Sequence, residues 1–128
     1  MKKLRGILVN TRKGIEIKRI EYNDYHDIAE ALECSWITCV PRIIGGVLVD
    51  VYCDEEALLK TAREPALITR KKDTREIIEI LYGNCFICKH NKKGEIVSLK
   101  HADYDPILLT QASISDKVRT YQVLQAEM

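Results

Sequence analysis

Several features are scarce in this sequence, and each absence narrows the possible functions. The 128 residues contain no apolar run of about 18 residues, so we predict no transmembrane helix. The apolar stretch Gly6–Val9 that follows Met1-Lys2-Lys3 is too short for a signal-peptide core, so we expect no export signal. Net charge is also nearly absent, because 20 basic and 19 acidic side chains give a formal charge of +1. This balance argues against a strongly basic nucleic-acid binder and against an acidic nucleic-acid mimic.

The short motifs of common catalytic and phosphate-binding sites are missing as well. There is no GxGxxG, and Gly45-Gly46 lacks the helix and lysine that follow a GxxxxGK[ST] loop, so it is better explained as a hairpin turn. None of the histidines His26, His90 and His101 lies in HExxH or beside a nucleophile motif. We therefore predict no catalytic residue, cofactor or metal, and a protein that is not an enzyme.

The cysteines support an intracellular location but leave their role open. Five is an odd number, and without an export signal it favours free thiols in a reducing cytoplasm. Cys85 and Cys88 have CxxC spacing, and Cys34 and Cys39 could complete a zinc site. However, Cys85 and Cys88 fall on a predicted strand, where residues three apart face opposite sides, which favours buried core thiols.

Hydrophobic periodicity predicts an α+β fold: a small mixed or antiparallel sheet made of β-hairpins, with two to three helices packed on one side. The helix spacing after Asp24 is the clearest, and Asp54 is expected to cap a short helix through Leu59. Asp50 lies in a strand expected to be central and needs a partner if it is buried. Residues 73–82 fit a helix or a strand equally well. The predicted strands are Gly6–Val9, Ile15–Lys18, Trp36–Val40, Val47–Cys53 and Cys85–His90.

The end of the chain is predicted to be separate from the main domain. We expect residues 1–110 to form a single α+β domain and residues 111–128 a C-terminal helical extension. Ile114, Val118, Tyr121 and Leu124 follow helical spacing there, and the stripe suits either self-association or docking on the sheet. A homo-oligomer is also expected from the charge distribution, since residues 1–20 are basic and residues 21–64 acidic. The alternative is that these two segments lie side by side and neutralise each other.

Five short stretches carry a resemblance to known proteins: Arg5-Gly6-Ile7-Leu8-Val9-Asn10, Arg42 with Ile44-Gly45-Gly46 and Asp50, Cys53-Asp54-Glu55-Glu56-Ala57-Leu58-Leu59, Tyr82-Gly83-Asn84 and Gly94-Glu95-Ile96-Val97-Ser98-Leu99. With these stretches the sequence resembles a family of uncharacterised proteins, a domain of unknown function found in bacteriophages and in mobile elements of Firmicutes-like hosts. The resemblance covers about residues 5–105. Two features depart from the family pattern: Ala57 stands where glycine is usual, and Pro106 interrupts the last helix.

The resemblance implies a phage or mobile-element accessory protein that acts in the host-cell cytoplasm. Proteins of that origin often antagonise bacterial defence by binding a host defence protein or by sequestering a small anionic nucleotide signal. For a nucleotide ligand, Arg42, Tyr52, Arg70 and Lys71 are the residue types needed for phosphate pairing and base stacking. They are selected by type alone.

Two other functions remain open. One is a nucleic-acid-binding regulator, although duplex DNA is not an expected partner. The other is a metal-dependent phosphoesterase that would use Asp50, Asp54 or Glu55.

Overall fold

The computed structural model describes residues 2–57 and 64–128, which form ten strands and two helices. The strands are β1 (Lys2–Asn10), β2 (Gly14–Tyr22), β3 (Ile37–Ile44), β4 (Val47–Asp54), β5 (Pro65–Arg70), β6 (Ile77–Tyr82), β7 (Cys85–His90), β8 (Ile96–Val97), β9 (Ala112–Ser115) and β10 (Thr120–Glu127), and the helices are α1 (Tyr25–Ala31) and α2 (His101–Leu108).

One mixed sheet holds the ten strands together. Its main path runs β2-β1-β7-β4-β3-β10-β5-β6, while β8 pairs with β7 and β9 pairs with β10. The β10–β5 pair is parallel, and the other pairs are antiparallel. The predicted hairpins β1–β2 and β3–β4 are confirmed, with tight turns at residues 11–13 and 45–46. Strand β4 lies in the middle of the path, as its apolar sequence predicts.

Successive side chains on a strand point to opposite faces, so the central strands bury residues on both sides of the sheet. The face that carries Val51 and Ile87 packs against Tyr104 and Ile107 of helix α2, and we call it the α2 face. The face that carries Tyr52 and Phe86 packs against Ile28 and Leu32 around helix α1, and we call it the α1 face.

The α+β class is confirmed. The prediction that the helices pack on one side of the sheet is wrong, because α1 and α2 cover opposite faces. Strands β4 and β7 are apolar on both faces, so each face requires its own cover. Helix α1 begins as expected, because the Asp24 side chain accepts a hydrogen bond from the His26 N–H at 2.9 Å. Neither helix in the described ranges is long and apolar enough to cross a membrane.

The predicted helix over residues 111–128 is wrong, because these residues form strands β9 and β10. Strand β10 lies between β3 and β5, where inter-strand hydrogen bonds satisfy its backbone. Val123 and Leu124 are both fully buried, one beside Ile68 and the other in the cluster under α2. Apolar residues spaced for a helix can therefore also fill two faces of a strand.

Two other segments with uncertain secondary structure are residues 73–82 and the short helix expected after Asp54. Residues 77–82 form strand β6, which decides the open choice between helix and strand. The predicted short helix after Asp54 lies partly outside the described residues, which stop at Ala57 and resume at Glu64. Within them, the Asp54 Oδ1 atom accepts a hydrogen bond from the Glu56 N–H at 2.9 Å, so Asp54 does cap the turn that begins there.

Candidate functional site

An aromatic pocket of about 440 Å³ lies between helix α1 and strands β3 and β4. Three rings line it: Tyr25 at the start of α1, Trp36 just before β3, and Tyr52 on β4. Tyr25 is 56% exposed and Trp36 is 63% exposed, so their rings are available to a ligand. Tyr25 and Tyr52 lie with their ring centroids 6.3 Å apart and tilted by 45°. The pocket therefore offers several apolar ring surfaces within one concavity.

The floor of the aromatic pocket is formed by Tyr52 and Cys39, whose hydroxyl and thiol are its polar groups. Tyr52 is buried, and burial, followed by neighbouring Cys39 and Cys88, raises the pKa of its hydroxyl. Burial, followed by the charge of Asp50, also raises the pKa of the Cys39 thiol, although a hydrogen bond from the Tyr52 hydroxyl opposes the shift. Both groups are therefore protonated and neutral at pH 7, and the pocket floor carries no charge.

A second concavity of about 480 Å³, which we call the basic cavity, opens where β4, β7 and the residues around β8 meet. Its buried acid is Asp50, whose Oδ2 atom lies 2.6 Å from His90 Nδ1. Asp50 thus has the partner that its burial demands, as the sequence predicts. Three lysines also line this cavity: Lys89, Lys92 and Lys100.

The four predicted ligand residues do not form one site. Tyr52 lies in the aromatic pocket, but Arg42 lies on the α2 face, because its partner across the β3–β4 pair is Val49. The Arg42 guanidinium donates to both carboxylate oxygens of Glu79, at 2.6 to 3.0 Å. This bidentate pair neutralises the charge that a phosphate would need.

Arg70 and Lys71 lie at the end of β5, away from both concavities described above. The Arg70 side chain donates to Gln125 Oε1 at 2.7 Å and to the Arg75 carbonyl oxygen at 2.8 Å. Lys71 lines a separate, shallow depression beside Ile78. Arg70 is therefore held by β10 and by the β5–β6 turn, and neither Arg70 nor Lys71 lines the aromatic pocket or the basic cavity.

Asp54 lines a polar concavity with Glu33 and Glu64, whereas Glu55 is exposed. In the described part of the chain, no group of three or more His, Cys, Asp or Glu side chains is placed to hold a metal ion. Cys85 lies in the cluster on the α2 face and Cys88 in the cluster on the α1 face, which confirms that the CxxC residues point in opposite directions.

Sequence reasoning missed most of the residues that line the two concavities. Trp36 was placed in a predicted strand and Tyr25 on a predicted helix, but neither pattern shows that the two rings meet. Lys92 and Lys100 flank β8, and nothing in the sequence distinguishes them from ordinary solvated lysines. One signal was present: a two-residue turn at Gly45-Gly46 fixes the β3–β4 register, which places Cys39 opposite Tyr52.

Comparison with known proteins identifies the family. Residues 2–111 match the family described as Domain of unknown function (DUF3846). The chain belongs to this family. No curated protein and no solved structure matches it. The match includes both concavities and ends before β9 and β10.

Proposed function

We propose that the protein is a non-enzymatic binding protein whose aromatic pocket receives the planar ring of a nucleobase-containing ligand. The single observation that supports this proposal most strongly is the convergence of Tyr25, Trp36 and Tyr52 on one concavity. Bases stack on aromatic side chains with little dependence on their sequence or identity, because every base has a π-face.

The surroundings of the rings suit such a ligand. The pocket floor at Tyr52 and Cys39 is neutral, so the ring of a base would not have to displace a buried charge. His26 and Thr38 at the rim add hydrogen-bonding groups that could contact the edge of a base. A few polar groups around an apolar concavity are the usual composition of a small-molecule site.

The wider role that we propose is antagonism of bacterial defence by sequestering a nucleotide signal. This part rests on the resemblance to phage and mobile-element proteins. Its test is a plaque assay in a bacterium whose defence uses a nucleotide signal. Expression of the protein should restore plaque formation, and the Tyr25→Ala variant should not; equal plaque counts with and without the protein would contradict this role.

The binding itself can be tested with the protein's single tryptophan, because Trp36 lies in the aromatic pocket. Adenosine, guanosine, cytidine and uridine are titrated separately while the Trp36 emission is recorded. We expect at least one nucleoside to change the emission with saturation. The Tyr25→Ala variant should weaken that affinity about tenfold, since stacking on one ring contributes about 1–3 kcal/mol.

The matched control is Leu109→Ala, which removes an apolar side chain that is 85% exposed and lies outside the aromatic pocket. It should leave nucleoside affinity unchanged. If no nucleoside changes Trp36 emission at millimolar concentration, the proposed function is wrong.

A further inference from the structure

We propose that the basic cavity binds the phosphate of the same ligand, so that the ligand is a nucleoside phosphate rather than a free nucleoside. This inference rests on the proposed function, because it assumes that the base occupies the aromatic pocket. It adds a second binding site and a chemical class of ligand.

The side of the basic cavity that carries Asp50 lies next to the aromatic pocket on the α1 face. Tyr52, in the aromatic pocket, and Asp50, in the basic cavity, are two residues apart on β4 and therefore point to the same side of the sheet. Their strand partners on β3, Cys39 and Pro41, line the same two concavities in the same order. Two residues of a strand span about 7 Å, which is a separation that one sugar ring can bridge.

The charges in the basic cavity favour an anion. Lys89 is already paired, because its Nζ atom lies 2.9 Å from Asp103 Oδ2. Lys92 and Lys100 are exposed, and within residues 2–57 and 64–128 neither has a carboxylate within ion-pair distance. Lys92 is therefore available to a phosphate, and Lys100 is near one carboxylate, that of Asp103, which Lys89 already pairs.

The buried carboxylate that lines the basic cavity already has a hydrogen-bond partner. Asp50 Oδ2 accepts a hydrogen bond from His90 Nδ1 at 2.6 Å, which partly offsets the negative charge that a phosphate would meet. The same contact leaves His90 Nε2 as the ring nitrogen that can meet a ligand, and the His90 side chain is 56% exposed. A carboxylate that orients a histidine in this way fixes the direction in which the ring's other nitrogen points.

The test compares the four nucleosides with their 5′-monophosphates by isothermal titration calorimetry. We expect the monophosphate of the preferred base to bind about tenfold tighter than its nucleoside, as a charge-assisted contact would give. The double variant Lys92→Ala/Lys100→Ala should remove this advantage and leave the affinity for the nucleoside unchanged. Both lysines are exposed, so we expect the variant to fold.

The matched control is Lys13→Ala/Lys18→Ala, which removes the same charge from the β1–β2 hairpin, at residues that line neither concavity. It should keep the preference for the monophosphate. If a general loss of positive charge were the cause, both double variants would lose it equally, and the inference would be overturned.

The remaining outcomes separate the inference from the proposed function. A nucleoside that binds as tightly as its monophosphate overturns the inference and leaves the proposed function standing. If no nucleoside or monophosphate binds, both are overturned. Affinity for single-stranded RNA that rises steadily with its length would also overturn the inference, since it would identify a polymer as the ligand.

Discussion

The two faces of the sheet are built from the same strands but differ in how completely they are covered. On the α2 face, Val49, Ile87 and Leu124 are almost completely buried. On the α1 face, helix α1 covers the part around Phe86 but leaves Leu48, on β4, 63% exposed. A strand can thus contribute to the core with one residue and to an open surface with the next.

Because of this difference, we expect the α2 face to contribute mainly to stability and the open part of the α1 face mainly to ligand binding. The α2 face is closed by Tyr104 and Ile107, so substitutions there should change the free energy of unfolding. The uncovered part of the α1 face holds the aromatic pocket and the side of the basic cavity that carries Asp50, so substitutions there should change ligand affinity first.

The largest expected effect comes from truncating one leucine on each face. Leu124→Ala should lower the free energy of unfolding by about 2–5 kcal/mol, because Leu124 is fully buried and its removal leaves a cavity. Leu48→Ala should change it by about 0.5 kcal/mol or less, because its side chain is mostly in water already. Urea denaturation followed by circular dichroism measures both. Equal losses for the two variants would contradict the assignment of β10 to the core.

The next largest effect is the difference in stability between alanine substitutions at the two glycines of the β3–β4 turn. Gly45 and Gly46 both have positive φ angles, +60° and +79°, so alanine is strained at either position. At Gly45 an added Cβ atom would also collide with the Pro106 carbonyl group of α2, whereas at Gly46 it would enter open space.

Gly45→Ala should therefore lower the free energy of unfolding by about 1–3 kcal/mol more than Gly46→Ala does. Thermal unfolding of the two variants, measured side by side, gives this difference. A Gly46→Ala variant as unstable as Gly45→Ala would show that α2 does not pack against the turn.

The smallest expected effect is a difference in alkylation rate between two thiols on neighbouring strands. Cys53 lies on the α2 face, and burial raises the pKa of its thiol to about 11. Cys39 lies beside Tyr52 in the aromatic pocket and is exposed, and the pKa of its thiol is raised chiefly by partial burial. Iodoacetamide should alkylate Cys39 in the folded protein and reach Cys53 only after unfolding.

The pH dependence of this reaction follows from the direction of the shift. The thiolate is the reactive form, and a raised pKa leaves little of it at pH 7, so alkylation of Cys39 should keep accelerating above pH 9. Peptide mass spectrometry after timed quenching measures the modification at each site. Alkylation of Cys53 at the rate of Cys39 would contradict the burial of the α2 face.

The sequence predicts much of the sheet because strong local signals mark its hairpins. Gly45-Gly46 fixes a turn, and the alternation in Ile15–Lys18 identifies β2. The same signals fail for β10, because Tyr121 and Leu124 fit both a helical stripe and the two faces of a central strand. The β10–β5 pairing joins residues more than 50 positions apart, and local periodicity carries no information about it.

The candidate site was predicted less well than the fold, for a related reason. Tyr52 is in the aromatic pocket, but Arg42 was chosen by its side-chain type, and its contact with Glu79 depends on β3 and β6 reaching across the α2 face. Asp50 and His90 are 40 positions apart, and their contact depends on β4 and β7 being neighbours. Sequence shows that Asp50 needs a partner, but only the strand order shows which one.

The measurement that tests the central claim most directly is the change in backbone amide chemical shifts when a nucleoside monophosphate is added. The account predicts that the shifts are confined to the residues of the aromatic pocket and the basic cavity, at Tyr25–His26, Trp36–Pro41, Asp50–Tyr52, His90–Lys92 and Lys100. Amides of α2 and of the buried α2 face, such as Tyr104, should stay unchanged. Shifts centred on α2, or no shift at saturating monophosphate, would contradict it.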